Sequence, residues 1–274
     1  PVYACSSIIS FSGADRDSKI VVLVNGAKVK EVNTWMGWGE IALPNPLKKG
    51  DVISASQIVN NRASYPTRDP VTVIEIPPSL RPGNKLNKPE IIPPLYECQK
   101  VIRVKNILEG AHVSVRDRDA NTWKGMTPHN NIRIITPALD LDQDWFNAHQ
   151  HICIDPIYSS DWSKKEYIQP KPSWLPEAKI VEPIVAGNDA CGVNNLTPGT
   201  DVNIYADDGS GPKRVGGGIA LEAGTIFRIN PAFDKNKKYH ATQSLCDIVS
   251  PKIPEITPLQ TAPAPVIPEP ICDG

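Results

Sequence analysis

The chain is poor in several things that would each point to a particular function. It has 2 methionines, 5 histidines, 6% aromatic residues and a formal charge of −1 over 274 residues. Near-neutrality removes the basic footprint expected of a protein that binds nucleic acid or an anionic membrane surface. No run of 18 apolar residues occurs, so no segment reads as a membrane-spanning helix. No stretch of 12 residues shows the 3.6-residue apolar period of an amphipathic helix. Gly-x-Ser-x-Gly, His-Glu-x-x-His, a Walker loop and a dinucleotide fingerprint are all missing, as is any Cys-x-x-Cys. These absences lead to the expectation of a protein that is not an enzyme and carries no cofactor. Pro1 opens the chain with no signal peptide, which reads as a processed or excised piece.

What is abundant is proline, 28 residues, together with short β-branched runs. Lys19-Ile20-Val21-Val22-Leu23-Val24 leads into Asn25-Gly26 and then alternates through Val32. Asn-Gly supplies the positive φ angles of a type I′ turn, so this is a hairpin. Asn131–Ile135 and Thr225–Ile229 alternate with period two. Turn signals recur every 8–12 residues or so, the rhythm of an all-β sandwich. Gly209-Ser210-Gly211 and Gly216-Gly217-Gly218 read as loop or hairpin glycines.

A repeat organises the rest. Cys5, Cys98 and Cys191 are 93 residues apart, as are Gln57, Gln150 and Gln243. That period is too long for a solenoid and suits one sandwich domain per copy. The expected fold is therefore all-β: three tandem immunoglobulin-like sandwiches at residues 1–89, 90–183 and 184–261 in an elongated array. Residues 262–274 form a tail that resembles the opening strand of a further copy. Cys153 and Cys246 each follow their glutamine by three and their leading cysteine by 55. This spacing predicts two intradomain disulfides, Cys98–Cys153 and Cys191–Cys246, and hence an oxidising compartment. Asn60 stands where the first copy would carry its second cysteine, leaving Cys5 and Cys272 over. They are candidates for an intermolecular, head-to-tail bond, with the tail strand docking on a sheet edge of the next molecule. The other reading is that the chain is cut from a longer array and Cys272 has lost its domain.

The segment Leu47-Lys48-Lys49-Gly50-Asp51-Val52-Ile53-Ser54-Ala55-Ser56-Gln57 resembles the phrase that leads into the penultimate strand of bacterial immunoglobulin-like repeats. Gly110-Ala111-x-Val113-x-Val115 and Gly199-Thr200-x-Val202-x-Ile204 resemble the early strands of the same repeats. Gly50-Asp51 has no counterpart in the second and third copies. The resemblance implies stalks, adhesins and spacers of secreted or surface proteins, with no catalytic residues to carry over. Fold analogy alone does not give function.

Three side-chain groups stand out as candidate sites. His149-Gln150-His151 puts two imidazoles on one strand face, half a metal site with no third ligand in view, so no metal is expected. Asp140, Asp142 and Asp144 alternate but lack the glycine and terminal glutamate of a calcium loop, and read as a solvated turn. Trp35, Trp38 and Trp123 sit in or beside Asn-Thr-Trp phrases and are the candidate ligand-binding aromatics. The function expected is a non-enzymatic extracellular or cell-surface rod that associates with itself or another surface protein. The alternative is an adhesin that holds a glycan on its loop tryptophans.

Overall fold

The computed structural model describes residues 1–153, 158–253 and 255–261. The protein is all-β. Its strands run in chain order as β1 (Ile8–Phe11), β2 (Lys19–Val24), β3 (Ala27–Asn33), β4 (Gly39–Ala42), β5 (Val52–Val59), β6 (Arg62–Ala63) and β7 (Val71–Thr72). They continue as β8 (Glu90–Ile91), β9 (Leu95–Tyr96), β10 (Val101–Lys105), β11 (His112–Asp117), β12 (Thr122–Met126), β13 (Asn131–Ile135), β14 (Trp145–Ile152), β15 (Tyr158–Ser159) and β16 (Glu166–Gln169). The last set is β17 (Lys179–Ile180), β18 (Ala190–Asn194), β19 (Asp201–Asp207), β20 (Lys213–Ile219), β21 (Thr225–Arg228), β22 (Lys238–Leu245) and β23 (Ile248–Val249).

These strands form three sheet pairs. In the second, β13-β10-β8 faces β12-β11-β14-β16, with β9 at the edge. In the third, β17-β18-β21 faces β20-β19-β22-β23. In the first, β1-β4 faces β3-β2-β5-β6, and β7 also pairs with β5. Two antiparallel sheets closed over one apolar layer make the immunoglobulin-like sandwich. Alternation along each strand supplies that layer. Val113, Val115, Phe146 and Ala148 point inward from one sheet of the second pair, and Ile102, Val104, Ile132 and Ile134 meet them from the other. The first pair has its own core around Ile9, Ile41, Ile20, Val22 and Ile53, and the third around Val193, Phe227, Ile204 and Tyr239. By their contacts the residues fall into two units. One holds residues 1–95 and 102–169, the other residues 96–101 and the chain from 170 onward.

The Asn25-Gly26 hairpin forms as the sequence dictates, both residues having positive φ between β2 and β3. Of the two readings of the triple glycine, the hairpin holds and the loop does not. Gly216, Gly217 and Gly218 lie inside β20, opposite Ile204, Asn203 and Val202. A Cβ on Gly217 would fall 2.0 Å from the Val202 carbonyl oxygen, and its φ of +127° is open to glycine alone.

The disulfides correct the sequence-based pairing. Cys5 is bonded to Cys153 and Cys98 to Cys246, each across 148 residues, and Cys191 is free. Cys98–Cys153 fails on geometry. The Gln150 side chain bonds the Asn106 carbonyl just past β10, so β10 and β14 run toward the same end of the sandwich. Cys98 precedes β10 and Cys153 follows β14, which places them at opposite ends, about 17 Å or more apart along five residues of strand. A disulfide needs Cα atoms within about 7 Å. Cys191–Cys246 fails because Cys191 is not the counterpart of Cys98. The turn Tyr96-Glu97-Cys98, which closes with Gln99 N–H donating to the Tyr96 carbonyl, recurs as Val185-Ala186-Gly187 with Asn188 donating to Val185. Gly187 therefore takes the cysteine's place. Cys191 lies four residues on, inside β18 and facing the core.

The 93-residue spacing of the third cysteine is a coincidence with a structural source. The cross-strand partners Val113 and Gly125 are 12 residues apart, whereas the equivalent Val202 and Gly218 are 16 apart. Four extra residues in the β19–β20 hairpin restore to the glutamines a period that the leading turns do not share. Cys5 is thus bonded within its own chain and cannot bridge to Cys272, which lies outside the described residues.

Candidate interaction site

Both disulfides repeat one local arrangement. A three-residue turn ahead of β1 in one sheet pair and of β10 in the next puts a cysteine at positive φ, 70° at Cys5 and 66° at Cys98. Its partner sits at positive φ in the turn after the long strand of the sheet pair that follows, 63° at Cys153 and 52° at Cys246. The residue after each leading cysteine is packed away. Ser6 is 2% exposed and meets Gly110, and Gln99 is 3% exposed and meets Gly199. A Cβ on Gly110 would lie 2.4 Å from the Ser6 hydroxyl and one on Gly199 2.1 Å from Gln99 Cγ. Only glycine lets these turns approach so closely. Beside the second contact, Lys100 N–H donates to the Gly199 carbonyl and Lys100 Nζ pairs with Asp201 at 2.6 Å. At the two positions where the arrangement could continue, Gly187 (φ 88°) and Asn60 (φ 50°) keep the left-handed backbone, carry no thiol and are exposed.

The recurrent glutamines have a structural role that their spacing does not disclose. Gln150 is 1% exposed. Its Oε1 accepts from Leu108 N–H, while Nε2 donates to the carbonyls of Asn106 and Asn87. Gln243 repeats this with Thr197, Asn195 and Pro176. Asn87 and Pro176 belong to the segments that lead into the short edge strands β8 and β17. Those strands run along β10 and β18, with Ile92 N–H donating to Arg103 and Val181 N–H donating to Gly192, and bury Ile91 and Ile180. Gln57 has the matching Oε1 bond, from Asp15 N–H. Among the described residues its Nε2 has no acceptor, and Gln57 is only half-buried.

The reason is an open edge. Among the described residues β1 pairs with β4 alone. Along its other side runs a groove of about 330 Å³ lined by Ile9, Phe11, Ile53, Ala55, Gln57 and Tyr65, among others. In the other two sheet pairs the equivalent slot holds β8 or β17.

The remaining sequence candidates are scattered. Trp38 is 56% exposed in the loop before β4, with Trp35 half-buried beside it. Trp123 is on another sheet pair and tilts against Phe146 at 5.6 Å, packed on the core. His149 and His151 do share a face of β14. His151 stacks on His112 at 5.1 Å, and His149 lies 5.1 Å from Trp162, whose ring also carries the Arg116 guanidinium at 3.8 Å. Burial lowers the pKa of all three imidazoles, and the Lys124 ammonium adds to the effect on His112 and His151. No group of three His, Cys, Asp or Glu among the described residues could hold a metal ion. Asp140 to Asp144 form a capped turn in which Asp140 accepts from Asp142 N–H. Burial pushes the Cys191 thiol up to about 12, which makes it a packing group. Among the described residues no helix is long and apolar enough to cross a membrane.

No protein-family model matches the chain, and no curated protein matches it in sequence. Among solved structures it is similar to a biofilm-associated protein's BSP domain, at 12% identity and a TM-score of 0.29, over 93% of this chain and 64% of that one. The chain thus spans less than two thirds of that structure's length. It is also similar to the N-terminal four Ig domains of Dscam1 isoform 4.4, at 11% identity and a TM-score of 0.30, over 96% of this chain and 76% of that one. A third likeness is to the central fibronectin-III array of RIM-binding protein, at 11% identity and a TM-score of 0.24, over 95% of this chain and 98% of that one. Superpositions this loose carry no functional argument.

Proposed function

We propose that the chain is a non-enzymatic, extracellular structural and adhesive element: three immunoglobulin-like domains stapled in series, able to associate with copies of itself. The observation that carries this reading is the pattern of the disulfides. A disulfide within a sandwich protects that sandwich. A disulfide from the leading turn of one copy to the hairpin of the next ties neighbouring copies to each other covalently. On the loop-entropy model, closing 148 residues contributes roughly 5 kcal/mol. Such bonds persist only in an oxidising compartment.

Mass spectrometry of non-reduced digests of protein secreted through an oxidising compartment tests the reading. Linked peptides Cys5–Cys153 and Cys98–Cys246 are expected, with Cys191 unmodified by alkylating reagent until the chain is unfolded. Recovery of Cys98–Cys153 or of four free thiols would overturn it.

A further inference from the structure

The outer face of the β12-β11-β14 sheet collects groups that the fold does not use. On β11 the residues that alternate with the core are His112, Ser114 and Arg116. On β14 they are Trp145, Asn147, His149 and His151. His112 lies beside His151, Ser114 beside His149 and Arg116 beside Asn147. Lys124 of β12 stands on the other side of Ser114, and Tyr167 of β16 stands opposite Trp145. From Trp145 to His151 the row runs about 20 Å, at ~3.4 Å per residue of strand.

The cations of this row are not spent on carboxylates. Among the described residues Arg116, Lys124 and Lys165 form no ion pair. The Arg116 guanidinium lies on Trp162 at 3.8 Å, with its Nε donating to Asn147 Oδ1, and Lys165 Nζ lies on Trp145 at 3.9 Å. Asp161, whose charge reaches His149, is held by Lys85 at 3.1 Å and Lys88 at 3.6 Å. The matching faces of the other two sheet pairs neutralise themselves. Lys19 and Lys28 close on Glu31, and Lys252 closes on Glu255 beside His240. A strip of unpaired cations with a 55% exposed Tyr167 at one end complements a linear polymer that repeats both a negative charge and a flat apolar surface. Sugars bearing carboxylates have both. The C–H face of a sugar ring packs on an aromatic ring, and the Arg116 fork takes a carboxylate in two parallel bonds.

We propose that this face binds an acidic polysaccharide, a linear chain of uronic acid residues, laid along β14 with a sugar ring on Tyr167 and carboxylates on Arg116, Lys124 and the imidazoles of His149 and His151. The proposal names a partner for the adhesive part of the reading above and rests on that part. Acid strengthens the contact. Burial, aided by Lys124, Arg116 and the neighbouring rings, keeps His112, His149 and His151 neutral until the pH falls below about 6.5, where uronate carboxylates are still ionised. Once charged, the imidazoles repel one another and the cations beside them, and a bound uronate chain relieves that repulsion.

The test is calorimetric titration of the full, oxidised chain with an oligogalacturonate at about pH 5.5 and low salt. Saturable binding is expected, at least about tenfold weaker at about pH 7.5. Tyr167→Ala should weaken it about fivefold and Lys124→Gln about threefold, both at exposed positions where the fold does not depend on the side chain. Arg116→Gln should weaken it about tenfold. The carboxyl-reduced oligomer should not bind. Three outcomes overturn the proposal: no binding at either pH, binding indifferent to both Tyr167→Ala and Lys124→Gln, or dextran sulfate or a single-stranded oligonucleotide binding as tightly as the uronate. Non-reduced digests of the same sample separate the two failures. With the Cys5–Cys153 and Cys98–Cys246 peptides present and no binding, only the inference fails; with the peptides missing, the stapled extracellular array fails and the inference falls with it.

Discussion

At the scale of single residues, three glutamines with one spacing do unequal work. The side chains of Gln150 and Gln243 each satisfy one backbone N–H and two carbonyls inside a sandwich. Removing one strands those groups away from water, at about 1–3 kcal/mol for each unsatisfied donor or acceptor. Gln57 serves one N–H beside an open groove. Gln150→Leu is expected to cost about 3 kcal/mol and Gln57→Leu less than about 1 kcal/mol, because the Asp15 N–H can turn to solvent. Urea midpoints at unchanged slope would check this. Equal losses would mean that the groove beside Gln57 is already filled in solution.

At the scale of strands, the chain can be read where local chemistry decides the matter. Asn25-Gly26 settles a hairpin, and alternation along Asn131–Ile135 places Ile132 and Ile134 in a core. It cannot be read where a partner decides. β8 and β17 are two residues long and exist because β10 and β18 offer an edge; no period shows in two residues. The glycines of β20 read equally as loop or hairpin until the Val202 carbonyl is seen pressing on Gly217 within the β19–β20 hairpin. Spacing misassigns the cysteines because it does not contain connectivity, and an inserted hairpin sets a false spacing at Cys191. The paired histidines of β14 are legible as neighbours on one face, though what they touch is not. The folded pKa values of His112 and His151 lie below the ordinary 6.5 through burial, so the unfolded chain takes up protons first. Their contribution to stability is complete above about pH 6.5 and is lost as the pH falls through the lowered folded values. Denaturation midpoints should therefore drop as the pH falls below about 6.5. In His112→Phe/His151→Phe, which keeps the stacked rings without the charge, that drop should shrink. An unchanged pH profile would mean the stack is open to water.

At the scale of the whole chain, the disulfides decide how far the protein can be drawn out under load. The bonds interlock, because Cys98 lies within the loop closed by Cys5–Cys153 and Cys153 lies within the loop closed by Cys98–Cys246. With both intact, the tautest covalent path from Cys5 to Cys246 crosses to Cys153, returns along 55 residues to Cys98 and crosses again to Cys246. Without them the path is the full 241 residues between Cys5 and Cys246. At about 3.5 Å per extended residue, reduction should lengthen the fully stretched molecule by about 650 Å. Separate intradomain bonds would instead leave the stretches between them free to extend and give a smaller gain. Single-molecule extension with and without a thiol reductant measures the difference directly. A gain near the full value is what an element that bears tension between two surfaces requires: its sandwiches can open under force, yet the interlocked bonds hold the strand ends within reach of refolding. A gain limited to one loop's worth would mean that only one staple forms.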